Sequence, residues 1–391
     1  MIAEEEHCVF NTLQDGMLPA YRSDSEKTFF GKRLQNLRYD LTTHAYHNNS
    51  GARGKAMLIA GDIGGTKTDL AIYSIEAGPH APLAQAQFHS ADYPSLQAIV
   101  SEFLAGVKVP VEHASFDVAG PVINGHVKTT NLPWTMDEIS LAKDLNLISV
   151  HLMNDLEAVA RAVPVLRAID LVTLNEGQPV SKGPIAVIAP GTGLGESFLT
   201  WDGSQFVAHS SEGGHSDFAP TDERQIHLLE YLLQRFDHVG VERVCSGVGV
   251  PNNYEYLRDS EHLPERPEVA QRIASAKDHT KAILEAANDP DHPSQLCRAT
   301  VNLLVSILAS EAGNLALKVL ATGGVYIAGG VALHLLDTLK EPQFLQAFAR
   351  KGRFKDLMAR IPVHVITARA ALVGAASYGL DIYEQRSKVA A

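Results

Sequence analysis

A chain of 391 residues with 45% hydrophobic and 20% charged side chains is a globular sequence too long for one ordinary core, so two compact units are expected. Its formal net charge of -12 argues against nucleic acid or an anionic membrane as the main partner, because such surfaces are held by clustered Lys and Arg, whereas a small anionic ligand needs only one local set of donors. Cys8, Cys245 and Cys297 are isolated and odd in number, which argues against a disulfide framework or CxxC metal site and fits a reducing compartment.

Residues 1–56 are polar, with a weak apolar pattern only in 29-FFGKRLQNLRYDL-41. They are expected to be a poorly ordered N-terminal extension, or the product of an upstream start codon ahead of Met57; a short helix docked on the body is the alternative. The opening MIAEEEH carries acid where a leader peptide needs base, so no targeting segment is expected.

The next segment, 61-GDIGGTKTDLAIYS-74, is a glycine turn with a Lys-Thr pair. Its glycines do not match G-x-G-x-x-G, and Thr66 stands where the last glycine of a P-loop belongs. Apolar Met57–Ala60 precedes the turn and alternating residues follow it, so the unit reads as strand, glycine turn, strand, with backbone N–H groups of a hairpin available to phosphate. After Tyr73 a strand leads to a helix over 94–106 with Leu96, Ile99, Val100, Phe103 and Leu104 on one face. Residues 114–130 alternate like paired strands broken at Gly120-Pro121 and at the hairpin signal Asn124-Gly125. A helix over 138–147, a strand over 149–153 and a helix over 155–166, stopped or kinked near Pro164, complete the first half.

The theme then repeats: 184-PIAVIAPGTGLGESFLTWDG-203 is again strand, glycine turn, strand, which suggests two similar halves facing each other. A helix over 223–239, an irregular polar segment over 251–293, a long buried helix over 294–320, strands at 325–328 and 361–366 and a closing helix over 369–385 follow. Glu311, Asn314 and Lys318 interrupt the long apolar helix, which argues against a membrane span. The alternation of strands and helices implies an α/β protein of two lobes around a cleft.

Several side chains stand out, each with a plain structural reading beside a functional one. Asp155, at a strand end before a helix, reads equally as an N-cap and as a working group at a cleft. The stretch 211-SEGGHSDFAP-220 reads as a glycine turn with a satisfied histidine, Glu242 as a surface charge, and Gly329-Gly330 as a strand end.

The ordered series GDIGGTK, FDVAGPVINGHVKTTNLPW, HLMNDLEAVA, APGTGLGESFL, SSEGGHSDFAP, VERVCSGVGV and VYIAGGVA resembles bacterial glucokinases of the type lacking the ROK zinc-binding motif, over about residues 57–385. The resemblance implies the actin-like ATPase (ribonuclease H-like) fold. It divides the chain into a small lobe at 57–165 joined by the C-terminal helix 367–388, and a large lobe at 166–366. It implies ATP-dependent phosphorylation of glucose with Asp155 as general base, and sugar contacts from Asn131, Asn154, Glu212, His215 and Glu242. Gly64, Gly65, Thr66, Lys67, Gly191, Thr192 and Gly193 would hold phosphate, Gly329 and Gly330 would adjoin adenosine, and Asp62 would face Mg²⁺, through water. His215 matches a metal-binding histidine of zinc-containing ROK kinases, but without their cysteine cluster zinc is not expected. A cytoplasmic homodimer is expected, without nucleic acid or membrane partners. Rival readings are a kinase for another hexose or another phosphate donor, a sugar-responsive repressor, and a sugar-independent ATPase.

Overall fold

The computed structural model describes residues 57–107, 109–129 and 132–389, with side chains described as far as 385. The expectations for residues 1–56 and for Asn131 lie outside the described residues.

From the start of this region the chain forms a meander. β1 (Met57–Ile63) turns into β2 (Lys67–Tyr73), and β2 into β3 (Ala84–His89), all antiparallel. β4 (Val111–Val118) lies parallel on the other side of β1. After a small hairpin of β5 (His126–Lys128) and β6 (Thr135–Asp137), β7 (Ser149–Asn154) joins parallel to β4. The order β3-β2-β1-β4-β7 explains the burial: edge strand β3 alternates buried and exposed, whereas His113–Val118 of the central β4 are buried throughout.

Residues 114–130 therefore differ from the sequence reading. β4 pairs with β1 and β7, and β5 pairs with β6, so pairing within the segment is confined to one bridge. The Asn124-Gly125 turn does form, with φ of 52° and 74°, closed by the bridge between Ile123 and His126. Local alternation reported the strands, but partner choice is settled by distant chain.

The second sheet adds β8 (Leu171–Asn175), β9 (Ile185–Pro190), β10 (Leu194–Trp201), β11 (Phe206–Ser211), β12 (Gly324–Ile327) and β13 (Val363–Ile366), in the order β11-β10-β9-β12-β13-β8. β9, β10 and β11 form an antiparallel meander, β12 and β13 run parallel to β9, and β8 closes the edge antiparallel. Apart from β8 the two sheets share one plan, with a glycine turn between the first two strands of each. The repeated theme in the sequence is a repeated topology.

The helix Leu96–Val107 buries Leu96, Ile99, Val100 and Phe103 as expected, with Leu104 half-buried. Gln295–Val319, capped by the Ser294 hydroxyl, runs through the larger core and is buried nearly all round. Its apolar window would suffice to cross a membrane, yet 78% of it is buried inside the fold. The segment 251–293 is not irregular: the helices Gly249–Asp259, Pro267–Ser275 and His279–Ala287 run through most of it. Pro251 and Pro267 lie in first turns, where no N–H is needed, so these two mark helix starts, while Pro264, Pro290 and Pro293 lie between helices.

One helix connects the sheets. Asp155–Ala162 leaves β7, packs along the C-terminal helix Ala370–Val389 and reaches β10 and β11. It ends in the 3₁₀ turn Val163–Val165 around Pro164. Two glycines permit the approach: a Cβ on Gly374 would lie 1.8 Å from the Ala158 carbonyl oxygen, and one on Gly195 would lie 1.6 Å from Leu156 Cδ2. The first obstacle is backbone and cannot rotate away. Gly374→Ala is therefore expected to cost about 1–3 kcal/mol or more in urea unfolding; an unchanged midpoint would contradict this packing.

Candidate active site

At the junction of β7 with its helix, Asn154 and Asp155 divide the work. Asn154 is the N-cap: its carbonyl accepts from Leu156 N–H at 2.9 Å and Glu157 N–H at 3.3 Å, and its amide donates to Gly120 O at 3.1 Å. Asp155 occupies the first helical position, and one carboxylate oxygen takes Leu156 N–H at 2.9 Å. The capping role that sequence alone offered to Asp155 falls on its neighbour. Burial pushes the Asp155 carboxyl above its ordinary range, opposed by the Leu156 hydrogen bond, while the charge of Glu212 adds to the rise.

Asp155 lines a cleft of about 650 Å³. Asp62 and Asn154 contribute from the first sheet. Gly191, Thr192, Gly193 and Gly329 contribute from the second, together with Glu212, His215 and Glu242. His215 stands between two acids, 3.9 Å from a Glu212 oxygen and 4.0 Å from a Glu242 oxygen. Glu242 also accepts from Leu194 N–H at 3.0 Å, and a Cβ on Gly193 would fall 2.2 Å from its carboxylate, so a side chain there would displace Glu242. The loop is closed by Gly191 N–H donating to Gly193 O at 2.9 Å and anchored by Gly247 N–H donating to Gly191 O at 2.8 Å.

A second cavity, of about 790 Å³, shares Gly191, Thr192 and Val248 with this cleft and continues it to Gly330. Lys277, Lys281, His279 and His334 line it, and the Thr280 hydroxyl ties its wall to Gly247 O. These side chains escaped sequence reading because 277-KDHTK-281 fell in the stretch taken as irregular; Asp278 capping the helix at Lys281 N–H was the available signal.

The first glycine turn is placed differently. Gly64, Gly65, Thr66 and Lys67 line neither cavity. Gly64 N–H donates to Lys67 O at 2.9 Å, the Ser90 hydroxyl donates to Gly64 O at 2.8 Å, and Thr66 and Lys67 are exposed.

Asp62 has a partner the sequence did not announce. Across the parallel β1–β4 pair it stands opposite Asp117, which is fully buried with neither carboxyl oxygen meeting a donor. Burial first, then the charge of Asp69, holds the Asp62 carboxyl at about 6, and burial with the Asp62 charge drives Asp117 well above the carboxylate range. Within apolar FDVAG, a lone acid reads as an outward-facing strand residue; only the central position of β4 buries it.

Two sheets of one repeated plan, with a glycine hairpin in each and a carboxylate-lined cleft, define the actin-like ATPase fold of sugar kinases. A family model described as Glucokinase matches residues 59–381. A glucokinase of Nostoc sp. (strain PCC 7120 / SAG 25.82 / UTEX 2576) is 40% identical over 335 residues, covering 82% of this chain and 98% of the relative. The crystal structure of a glucokinase from an Antarctic psychrotroph is 30% identical with a TM-score of 0.72, over 83% of this chain and 99% of that one. A ROK family glucokinase from Streptomyces griseus in complex with glucose and AMPPNP has a TM-score of 0.55 at 19% identity, over 83% of this chain and 100% of that one, and shares the fold. The chain belongs to the glucokinase family.

A kinase of this family implies magnesium with the nucleotide. Among the described residues no three His, Cys, Asp or Glu side chains cluster to hold a metal alone, while Asp62 offers a carboxylate to the cleft. That donor set fits magnesium, which keeps several waters and binds through one or two carboxylates plus substrate phosphates.

Because Asp117 keeps a proton in the folded chain that it releases when unfolded, its carboxyl removes stability as pH rises above its ordinary value of 3.8. Asp117→Asn is expected to melt higher than wild type near pH 8, with a smaller difference near pH 5, in thermal denaturation. A variant melting lower near pH 8 would contradict the assignment.

Proposed function

We propose that this enzyme transfers the γ-phosphoryl group of ATP to the 6-hydroxyl of glucose, with Asp155 taking the hydroxyl proton. The observation that carries this reading is that Asp155, the acids Glu212 and Glu242, and the Gly191–Gly193 loop line one cleft. In-line transfer needs the acceptor hydroxyl, its base and the phosphate cradle within one water-excluding space.

Glucose lies against Asn154, Glu212, His215 and Glu242, each hydroxyl meeting a partner on burial. Asn131, outside the described residues, is a further sugar contact in this reading. The Asn154 cap holds the start of the helix and so aims Asp155, and the raised proton affinity of that carboxyl brings it nearer the working pH of a base. ATP lies with its phosphates at Gly191, Thr192 and Gly193 and its adenosine running from Gly329 of the cleft to Gly330 of the larger cavity, where Lys277 and Lys281 supply positive charge. Asp62 would hold magnesium, through water, and when bound the ion would supply charge neutralisation for the phosphate oxygens. Gly64, Gly65, Thr66 and Lys67 meet phosphate when the lobes close, since in the present conformation they stand outside both cavities.

The lobes of this reading are 57–165 completed by helix 367–388, and 166–366, each built on one of the two sheets. A cytoplasmic homodimer completes it.

Asp155→Asn should lower kcat by about 10²–10⁴-fold while calorimetric glucose affinity changes little. Near-wild-type turnover in a variant that binds glucose would overturn the base assignment. Glu212→Gln should raise KM for glucose as well as lower turnover. In a coupled assay, a panel of hexoses crossed with ATP, ADP and polyphosphate should give its highest kcat/KM with glucose and ATP; a higher value for another pair would redirect the reading.

A further inference from the structure

Beneath the turn that carries Glu212 and His215 lies an acid with no place in the proposed transfer. Glu196, on β10, is buried, and its Oε1 meets no hydrogen-bond partner. Its other oxygen abuts the turn from below: a Cβ on Gly213 would lie 2.0 Å from Glu196 Oε2, with Ser211 Oγ 3.2 Å from the same point. Ser211 faces Glu196 across the β10–β11 pair, and its hydroxyl in turn accepts Gly213 N–H at 3.0 Å. Any outward push by this carboxyl is therefore felt by the backbone of Gly213–His215.

The groups facing it are few. From the long helix Gln295–Val319 comes Glu311, itself buried, which accepts from Asn314 at 2.8 Å and pairs with Lys318 at 3.4 Å. From the segment that carries Glu242 comes the fully buried thiol of Cys245, whose titration responds to both Glu196 and Glu311. Lys351 closes the far side of Glu311 through Ser310 and Asn314. Opposite, on β9, stands the uncharged Ile188, and above lie Glu212 and His215.

We propose that Glu196 is a positioning residue for the sugar: protonated, it packs flat beneath Ser211–His215 and sets Glu212 and His215 for binding, and ionised, it displaces that turn. The proposal rests on the reading in which Glu212 and His215 meet glucose. Burial, reinforced by the charge of Glu311 and opposed by Lys318, holds the carboxyl at about 7, so the two forms exchange within the working range. An ionised carboxylate there is taken out of water beside a second buried acid, and moving the turn is the route by which it regains solvent.

The experiment measures KM for glucose and for ATP from about pH 6 to about pH 8.5 in wild type and Glu196→Gln. The wild-type KM for glucose should rise several-fold across this range while KM for ATP moves little, and Glu196→Gln, which keeps a neutral side chain of the same shape, should hold the low glucose value throughout. Titration of wild type with glucose near pH 8 in buffers of different ionisation enthalpy should show proton uptake on binding, absent in Glu196→Gln. Glu311→Gln, which removes the charge that reinforces protonation of Glu196, should move the transition to lower pH, and a move to higher pH would overturn the proposal. The same pH profile in wild type and Glu196→Gln, or no proton uptake by wild type, would overturn the proposal. Failure of the underlying reading would look different: glucose would not be phosphorylated at all, or Glu212→Gln would leave its KM unchanged.

Discussion

The short helix Asp155–Ala162 has to lie against backbone on one side and a strand on the other, and the rest of the site follows from that fit. Gly374 admits the Ala158 carbonyl, and Gly195 admits the Leu156 side chain. With those approaches made, a helix that begins at the end of β7 in one sheet is packed against β10 and β11 of the other. The Asn154 cap then fixes the first turn. Asp155 consequently enters a cleft whose opposite wall is built from the second sheet. A base carried on a capped helix between two sheets is held more firmly than one on a loop.

The second constraint is electrostatic. Asp62, Asp155, Glu212 and Glu242 crowd one cleft, with Asp117 buried behind Asp62 and Glu196 beneath the Glu212 turn. Such a site favours ligands that answer negative charge: hydroxyl donors of a sugar, and a divalent cation carried by phosphates. The lysines lie instead around the larger cavity, where a nucleotide's own anionic groups would need them. The overall charge of -12 and a local preference for a polyanion are thus compatible, because Lys277 and Lys281 both line the larger cavity.

Much of this was legible in the sequence, for local reasons. Glycines between apolar and alternating runs announced both hairpins, and the helical face of Leu96, Ile99, Val100 and Phe103 was read from its spacing. What escaped depended on distant pairing. The mid-sheet position of β4, and with it the burial of Asp117, comes from strands on either side that local alternation cannot name. Glu196 lies on a strand whose alternation would send it to solvent or core with equal ease, and only the fold brings Gly213 over it. The helices of 249–287 were hidden by prolines that begin helices as readily as they end them. The division of labour between Asn154 and Asp155 needed hydrogen-bond geometry.

The most direct test is a crystal structure with glucose and a non-hydrolysable ATP analogue bound together. The account predicts an Asp155 carboxylate oxygen within about 2.6–3.2 Å of the glucose 6-hydroxyl, with that hydroxyl facing the γ-phosphorus across the Gly191–Gly193 loop. A 6-hydroxyl turned away from Asp155, or a triphosphate bound remote from that loop, would contradict it.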